Sequence, residues 1–336
     1  MASRSTVVLP DDSARPILDA IREASRSIRV KMFVFSDPSL LRAVVSAHRR
    51  GVKVKVMLNA TRRSGQEENA STRNALVKAD VEVKDANPDF EVTHEKSMVV
   101  DEKTAFVTSL NWAPKNFTST RDYAVVTSHA KEVREIVDCF EADWRRQKFA
   151  AGPRSHLIWC PGGRDAIGRF IDRARHMLFL QNERYQDTVI IEHLVRAQRR
   201  GVKVHVMTKP PHTLKEDKLV EGVGGLRILD DVGIKIHRLK HLRLHAKMLL
   251  ADGVSAIVGS MNLAPGSLDE RRELAIEVRD PDVVDRLYRV TRYDWKHSHP
   301  LDLSDDGLRA DLEDRIEEAR KLGVVHPKGF EHEDGR

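Results

Sequence analysis

Apolar positions along the chain alternate between two spacings. Residues 13–25, SARPILDAIREAS, carry them at helical intervals, and SIRVKMFVF at 27–35 reads as a strand. PSLLRAVVSAHRRG (38–51) is a second helix, closed by Gly51, and VKVKVML (52–58) alternates as a strand. The order returns later as GRDAIGRFIDRARH (163–176), MLFLQ (177–181), TVIIEHLVRAQRRG (188–201) and VKVHVM (202–207). Each series continues into two short apolar strands, a further strand at 122–127 or 273–278, and a long helix ending near Trp144 or Trp295. Alternation of this kind predicts an α/β protein, each lobe a mixed, mainly parallel sheet flanked by helices. A last amphipathic helix is expected over 304–322, with Leu308, Leu312, Ile316 and Leu322 on one side, before a polar, frayed tail HPKGFEHEDGR.

The polar positions recur as well. Residues 94–146 align on 245–297 without a gap. His94, Lys96, Asp101, Ser109, Asn111, Ala113, Pro114, Arg121 and Trp144 fall on His245, Lys247, Asp252, Ser260, Asn262, Ala264, Pro265, Arg272 and Trp295. Upstream, RRGVKVKVM (49–57) matches RRGVKVHVM (199–207) with the register shifted by one residue. The chain is a duplication, expected to divide into repeats at 1–150 and 151–300 and a C-terminal segment at 301–336.

Composition narrows the class. A chain of 336 residues can hold two substantial cores, and its 32% charged share suits a soluble globular protein. No run of 18 apolar residues occurs, so no membrane span is expected and a cytoplasmic place, peripheral to an inner membrane, fits. Two cysteines make no disulfide framework. The net charge of +6 points to an anionic partner, although Lys and Arg are spread rather than massed.

The duplicated polar residues carry the chemistry. On a strand His94 and Lys96, two apart, face the same way, as do His245 and Lys247. An imidazole beside an ammonium makes a poor core and a good phosphate site. Asp101 and Asp252 lie an odd number of residues further on and read as structural, bonding backbone or a neighbouring side chain. Ser109 with Asn111, and Ser260 with Asn262, put hydroxyl and amide groups at a strand end as donors to phosphoryl oxygens. Asp122 and Glu273 each follow their own histidine by 28 residues and keep only acidity in common. A carboxylate there can accept from one ring nitrogen and turn the other toward substrate. One such motif is weak. Two in register, with the same polar residues kept while their neighbours change, are a strong signal. His237, His241 and His245 have the four-residue spacing of a helical metal site, but the stretch reads as a strand, so no metal or cofactor is expected. EGVGGLR (221–227) lacks the Lys-Ser/Thr of a phosphate loop and reads as a turn.

With its two HxKxxxxD motifs, each followed by G-S-x-N or T-S-x-N, the sequence resembles the phospholipase D superfamily over most of residues 10–300. The resemblance implies two repeats packed about a pseudo-twofold axis with one cleft between them. It also implies a metal-independent phosphodiesterase or phosphatidyltransferase working through a phosphohistidine, with both motifs in one monomeric chain. His94 is then the nucleophile and His245 the acid and base. The departure is Thr108 where the second copy has Gly259, which tightens the backbone near Ser109.

The substrate is read as phospholipid at an anionic membrane surface, as for a phospholipase D or cardiolipin synthase, with a nuclease acting on nucleic acid as the alternative. Trp112, Phe117, Leu263 and Leu268 are candidates for an apolar lip at the cleft, with core packing an equally good explanation of them, while the loops 61–74 and 210–218 are polar. RRSG (62–65) and HRLKHLRLH (237–245) are the basic tracks that favour nucleic acid. A binding module without catalysis is the third class, disfavoured by the complete polar set in both copies.

Overall fold

The computed structural model describes residues 3–59, 68–152, 155–210 and 216–310, with residues 313 and 317. The first half runs β1 (Arg4–Leu9), α1 (Arg15–Glu23), β2 (Ser27–Met32), α2 (Pro38–Arg49), β3 (Lys53–Leu58), α3 (Ala70–Lys78) and β4 (Glu82–Asp85). It continues with β5 (Ser97–Val100), β6 (Thr104–Thr108), α4 (Pro114–Thr118), β7 (Thr120–Thr127) and α5 (Ala130–Trp144). The second half repeats it as β8 (Leu157–Cys160), α6 (Arg164–Arg173), β9 (Met177–Gln181), α7 (Thr188–Arg199), β10 (Lys203–Met207), α8 (Glu216–Asp231) and β11 (Lys235–Leu239). Then come β12 (Arg243–Leu244), β13 (Met248–Ala251), β14 (Ser255–Gly259), α9 (Pro265–Asp269), β15 (Glu273–Val278), α10 (Pro281–Lys296) and β16 (Ser298–Pro300).

The strands form two sheets, ordered β1-β7-β6-β5-β2-β3-β4 and β16-β11-β10-β9-β13-β14-β15-β8. Along these two orders the parallel neighbours are β2-β3-β4 and β9-β10-β11, and the other pairs are antiparallel, so the sheets are mixed as expected but not mainly parallel. The reason is local. Strands β5 and β6, and β13 and β14, are joined by short turns that reverse direction directly, with no helix to carry a parallel crossover. Parallel pairing survives where α2, α3, α7 and α8 supply the crossovers. Gly51 and Gly201, at φ +91° and +87°, end α2 and α7 in the left-handed conformation.

Three apolar layers result. One packs the outer helices of the first half on its sheet (Ile17, Ile21, Leu40, Val44, Leu76), and another does the same in the second half (Ile167, Ile171, Leu194, Leu229). The third joins the halves: Val99, Val107, Val125 and Ile136 of one meet Met248, Leu250, Val258 and Leu287 of the other. Leu303 and the partly buried Leu308 pack on the second half's outer core. Residues 305–310 are helical, while Leu312, Ile316, Leu322 and the tail lie outside the described residues.

Several sequence expectations change. The loop placed at 61–74 gives way to α3 from Ala70, and that at 210–218 to α8 from Glu216; RRSG (62–65) lies outside the described residues. EGVGGLR is not a turn but part of α8. A Cβ on Gly225 would stand 1.9 Å from the Tyr185 carbonyl oxygen, so glycine there is what lets the helix lie against that segment. Gly259 is equally confined, since a Cβ there would collide with the Leu274 carbonyl and with Ala275, whereas Thr108 turns its hydroxyl to the Lys96 carbonyl at 3.1 Å.

Asp101 and Asp252 occupy the hairpin turns at φ 54°. The Asp101 carboxylate accepts from the backbone N–H of Ser25, Arg26 and Ser27, and Asp252 from those of Arg175, His176 and Met177. These bonds outweigh the opposing effect of burial and hold Asp101 down to about 2. Asn tolerates the left-handed backbone, so Asp101→Asn and Asp252→Asn isolate the charge. Each should cost about 1 kcal/mol, read as a lower urea midpoint, with activity per folded molecule unchanged.

Candidate active site

The segment ahead of each motif crosses to the other half. His94 N–H and Glu95 N–H donate to the Arg272 carbonyl at 3.0 and 2.9 Å, and His245 N–H donates to that of Arg121 at 3.2 Å. Strand β12 pairs in parallel with β7, adding a strand from the second half to the first sheet. Residues 94–96 and 245–247 are therefore extended connectors before β5 and β13 rather than parts of regular strands. The alternation still holds: Glu95 turns away from the cleft to Lys31.

The crossing sets the histidine partners. His94 Nδ1 lies 3.0 Å from both carboxylate oxygens of Glu273, and His245 Nδ1 lies 2.8 Å from Asp122 Oδ1. Each acid thus serves the histidine of the opposite repeat, not the one 28 residues before it. Both carboxylates are fully buried. Asp122 accepts from Ser109 Oγ (2.6 Å), Thr120 Oγ1 (2.6 Å) and Asn116 Nδ2 (2.9 Å), and Glu273 from Ser267 Oγ (2.7 Å). Burial pushes both acids up, but His245 with Lys247 and the Ser109 hydroxyl holds Asp122, and His94 with Lys96 holds Glu273, below their ordinary values. A charged carboxylate accepts a hydrogen bond from Nδ1–H, which keeps the proton on that nitrogen and leaves Nε2 as the ring atom free for chemistry.

The serines were expected to donate to phosphoryl oxygens and do not. Ser109 is fully buried and spends its proton on Asp122, and Ser260 lies between the Leu274 N–H at 3.1 Å and its carbonyl at 3.3 Å. The asparagines differ from the serines: Oδ1 of Asn111 and of Asn262, an acceptor, has no hydrogen-bond partner among the described residues, and it is the Nδ2 amide of each that can donate to a phosphoryl oxygen. Asn111 lines a cavity of about 360 Å³ with Val34, Ser36, Ala113, Pro114 and Lys115. The apolar lip is absent from the places proposed for it, because Trp112, Phe117, Leu263 and Leu268 are all core residues.

Lys96 and Lys247 are nearly inaccessible, and each donates to the carbonyl of its own motif histidine. Burial first, then the positive charges of Lys96 and Lys247, push His94 down to about 3, against the pull of Glu273. Burial, opposed first by Asp122 and reinforced by Lys247, also lowers His245. Lys96 is held well below its ordinary value by burial, with Lys247 adding to it. Lys247 thus acts on both His94 and Lys96, so the two halves face one another electrostatically. His94 therefore rests neutral.

Sequence reasoning missed the second crossed set. Arg121 binds Asp294 with two bonds of 2.9 Å, and Arg272 binds Asp143 at 3.0 Å, again one residue from each repeat. Asp143 and Asp294 each precede the aligned tryptophan, which was the available signal. Asp143 also meets fully buried Lys31, which bridges to Glu95 at 2.8 Å. Glu95, Cys139 and Asp143 offer ligand atoms within 4.8 Å of one another, but the Lys31 ammonium lies among them. Glu183, on Lys247 and Lys209, was missed too.

The family described as "Cardiolipin synthase, PLD-like domain" matches residues 17–144 and 167–295, one copy in each half. The chain belongs to the phospholipase D superfamily. Within it, cardiolipin synthase B of Shigella flexneri is 25% identical over 314 residues, covering 79% of this chain and 73% of that protein. Mitochondrial cardiolipin hydrolase of Mus musculus is 30% identical over 149 residues, 44% of this chain, and the match spans 66% of the relative's length. Phosphatidylserine synthase of Haemophilus influenzae superposes with a TM-score of 0.71 at 12% identity, covering 96% of this chain and 95% of that one. Polyphosphate kinase of Porphyromonas gingivalis superposes at 0.70 and 15% identity, covering 95% of this chain and 53% of that one. At these identities the two structures share the fold with this member of the superfamily.

Removing one partner of a crossed buried pair strands the other charge. Arg121→Leu should therefore destabilise the protein by about 3–5 kcal/mol. The double change Arg121→Leu/Asp294→Leu should recover part of that loss, measured by denaturant unfolding as a double-mutant cycle.

Proposed function

We propose that the protein is a phosphatidyl-transferring phosphodiesterase of the phospholipase D type, acting on phospholipid through a phosphohistidine. The observation that carries the reading is the pair of motif imidazoles, each held by the other repeat's carboxylate beside a buried lysine. The same reading divides the chain at 1–150 and 151–300 into halves that supply one histidine each. Residues 301–336 stand outside the chemistry.

In the proposed mechanism, the neutral His94 presents its Nε2 lone pair because its Nδ1–H donates to Glu273. Lys96, Lys247, Asn111 and Asn262 hold the phosphoryl oxygens. Nε2 attacks phosphorus, the P–N bond forms, and the P–O bond to the leaving alcohol breaks as that oxygen takes a proton from His245 Nε2. Water or a second alcohol then gives its proton to His245 and displaces His94. Asp122 orients His245 through both steps and balances its charge when protonated. Charge stabilisation comes from the two ammonium groups.

A phospholipid substrate is supported by the names and extents of the superfamily relatives. No helix among the described residues is long and apolar enough to cross a membrane; the net charge of +6 is what favours meeting the substrate at an anionic surface. A nucleic-acid substrate is the second reading, favoured by exposed Arg243 and His241 beside the His245 connector. A product assay decides between them. Phosphatidic acid, or a phosphatidyl-alcohol when a primary alcohol is added, supports the lipid reading; shortened single-stranded DNA or RNA with intact lipid replaces it.

His94→Ala and His245→Ala should each lose at least about a hundredfold in rate while remaining folded. Excess chelator should leave the wild-type rate unchanged, and a strict need for a divalent ion would contradict the mechanism. Because His245 must start protonated and is held below the ordinary imidazole value, kcat/KM should fall as pH rises from about 6 to about 8. His94, neutral down to about 3, should impose no acid limb in that range.

A further inference from the structure

The two halves are not equivalent where the chain leaves the central strands β2 and β9. In the first half this place is taken by Phe33, whose ring lies 4.8 Å from the His94 ring and 5.0 Å from Lys96 Nζ. In the second it is taken by Glu183, whose carboxylate binds Lys247 and Lys209 and lies 3.9 Å from His245 Nε2. Lys96 has no carboxylate within ion-pair distance among the described residues, whereas Lys247 has one. A negative phosphoryl group entering the cleft is therefore drawn to the Lys96 side and repelled from the Glu183 side. A neutral alcohol oxygen has no such conflict, and a protonated imidazole is favoured beside a carboxylate.

From this asymmetry, and on the phosphodiesterase reading above, we propose that Glu183 is a positioning residue. It makes the second half-site the alcohol side of the cleft and commits His245, rather than His94, to protonating the leaving oxygen and later deprotonating the entering one. The geometry fits that task. Nε2 is the ring atom that meets the alcohol, Nδ1 is occupied by Asp122 at 2.8 Å, and Glu183 is the carboxylate on the Nε2 side. The balance is simple: the proton on His245 Nε2 passes to the departing oxygen as the P–O bond breaks, and returns from the incoming hydroxyl as the P–N bond breaks. Glu183 keeps its charge throughout, held well below the ordinary carboxylate range by Lys209 and Lys247 despite burial.

The test is single-turnover cleavage, enzyme in excess, of a short-chain phosphatidylcholine and the matching phosphatidyl-p-nitrophenol by wild type and Glu183→Gln. Nitrophenolate needs no proton to leave and choline does. The expected result is that the substitution slows the choline ester at least about tenfold more than the nitrophenyl ester. Equal loss on both esters would show that Glu183 only holds Lys247 in place and overturns the inference, as would no loss on either. A wild-type protein that cleaves neither ester overturns the lipid reading itself, and a failure of that kind is distinguishable because it precedes any effect of the substitution.

Discussion

The structure depends on one kind of contact made twice: a buried carboxylate of one repeat bonded to the motif imidazole of the other. Glu273 holds His94 and Asp122 holds His245, at 3.0 and 2.8 Å. A carboxylate taken fully out of water is costly unless it is hydrogen-bonded and paired. Asp122 meets that cost with three protein donors and its histidine. The hydroxyl and amide donors come from each acid's own repeat, and the imidazole comes from the other. The halves are tied together at the place where the chemistry is proposed, and the tie sets the tautomer of both rings.

The rest of the interface repeats the logic in structural form. Arg121 with Asp294, and Arg272 with Asp143, cross between the same halves, and the backbone bonds from His94 and His245 land on the carbonyls of those two arginines. Breaking one crossed contact therefore disturbs both an ion pair and the connector that carries a histidine. Around this polar centre the shared apolar layer excludes water, which strengthens each charge interaction within it. The site and the inter-repeat core are two aspects of one packing solution.

Much of this was legible in the sequence, for reasons that particular residues make clear. The gapless register from His94 to Trp144 fixes the duplication, and apolar periodicity places α2, α7 and the strands beside them, with Gly51 and Gly201 as their stops. Strand direction was not legible, because an apolar run reads alike in a parallel pair and in the β5–β6 hairpin. Nor was the crossing, since equal spacing in two copies is compatible with Asp122 serving either histidine. Ser109 looked like a phosphate donor because its burial is a property of the folded sheet. Glu183 escaped notice because the repeat register slips by one residue in that region and its counterpart, Phe33, shares no chemistry with it.

The measurement that tests the central claim most directly is covalent trapping. His245→Ala protein would be mixed with phosphatidyl-p-nitrophenol bearing an isotopically labelled phosphate, quenched in alkali, digested and sequenced by mass spectrometry. The account predicts a phosphoramidate label on the peptide containing His94, since nitrophenolate leaves without an acid while hydrolysis of the intermediate lacks its base. Label on another residue, or turnover of the substrate with no covalent species at His94, would contradict it.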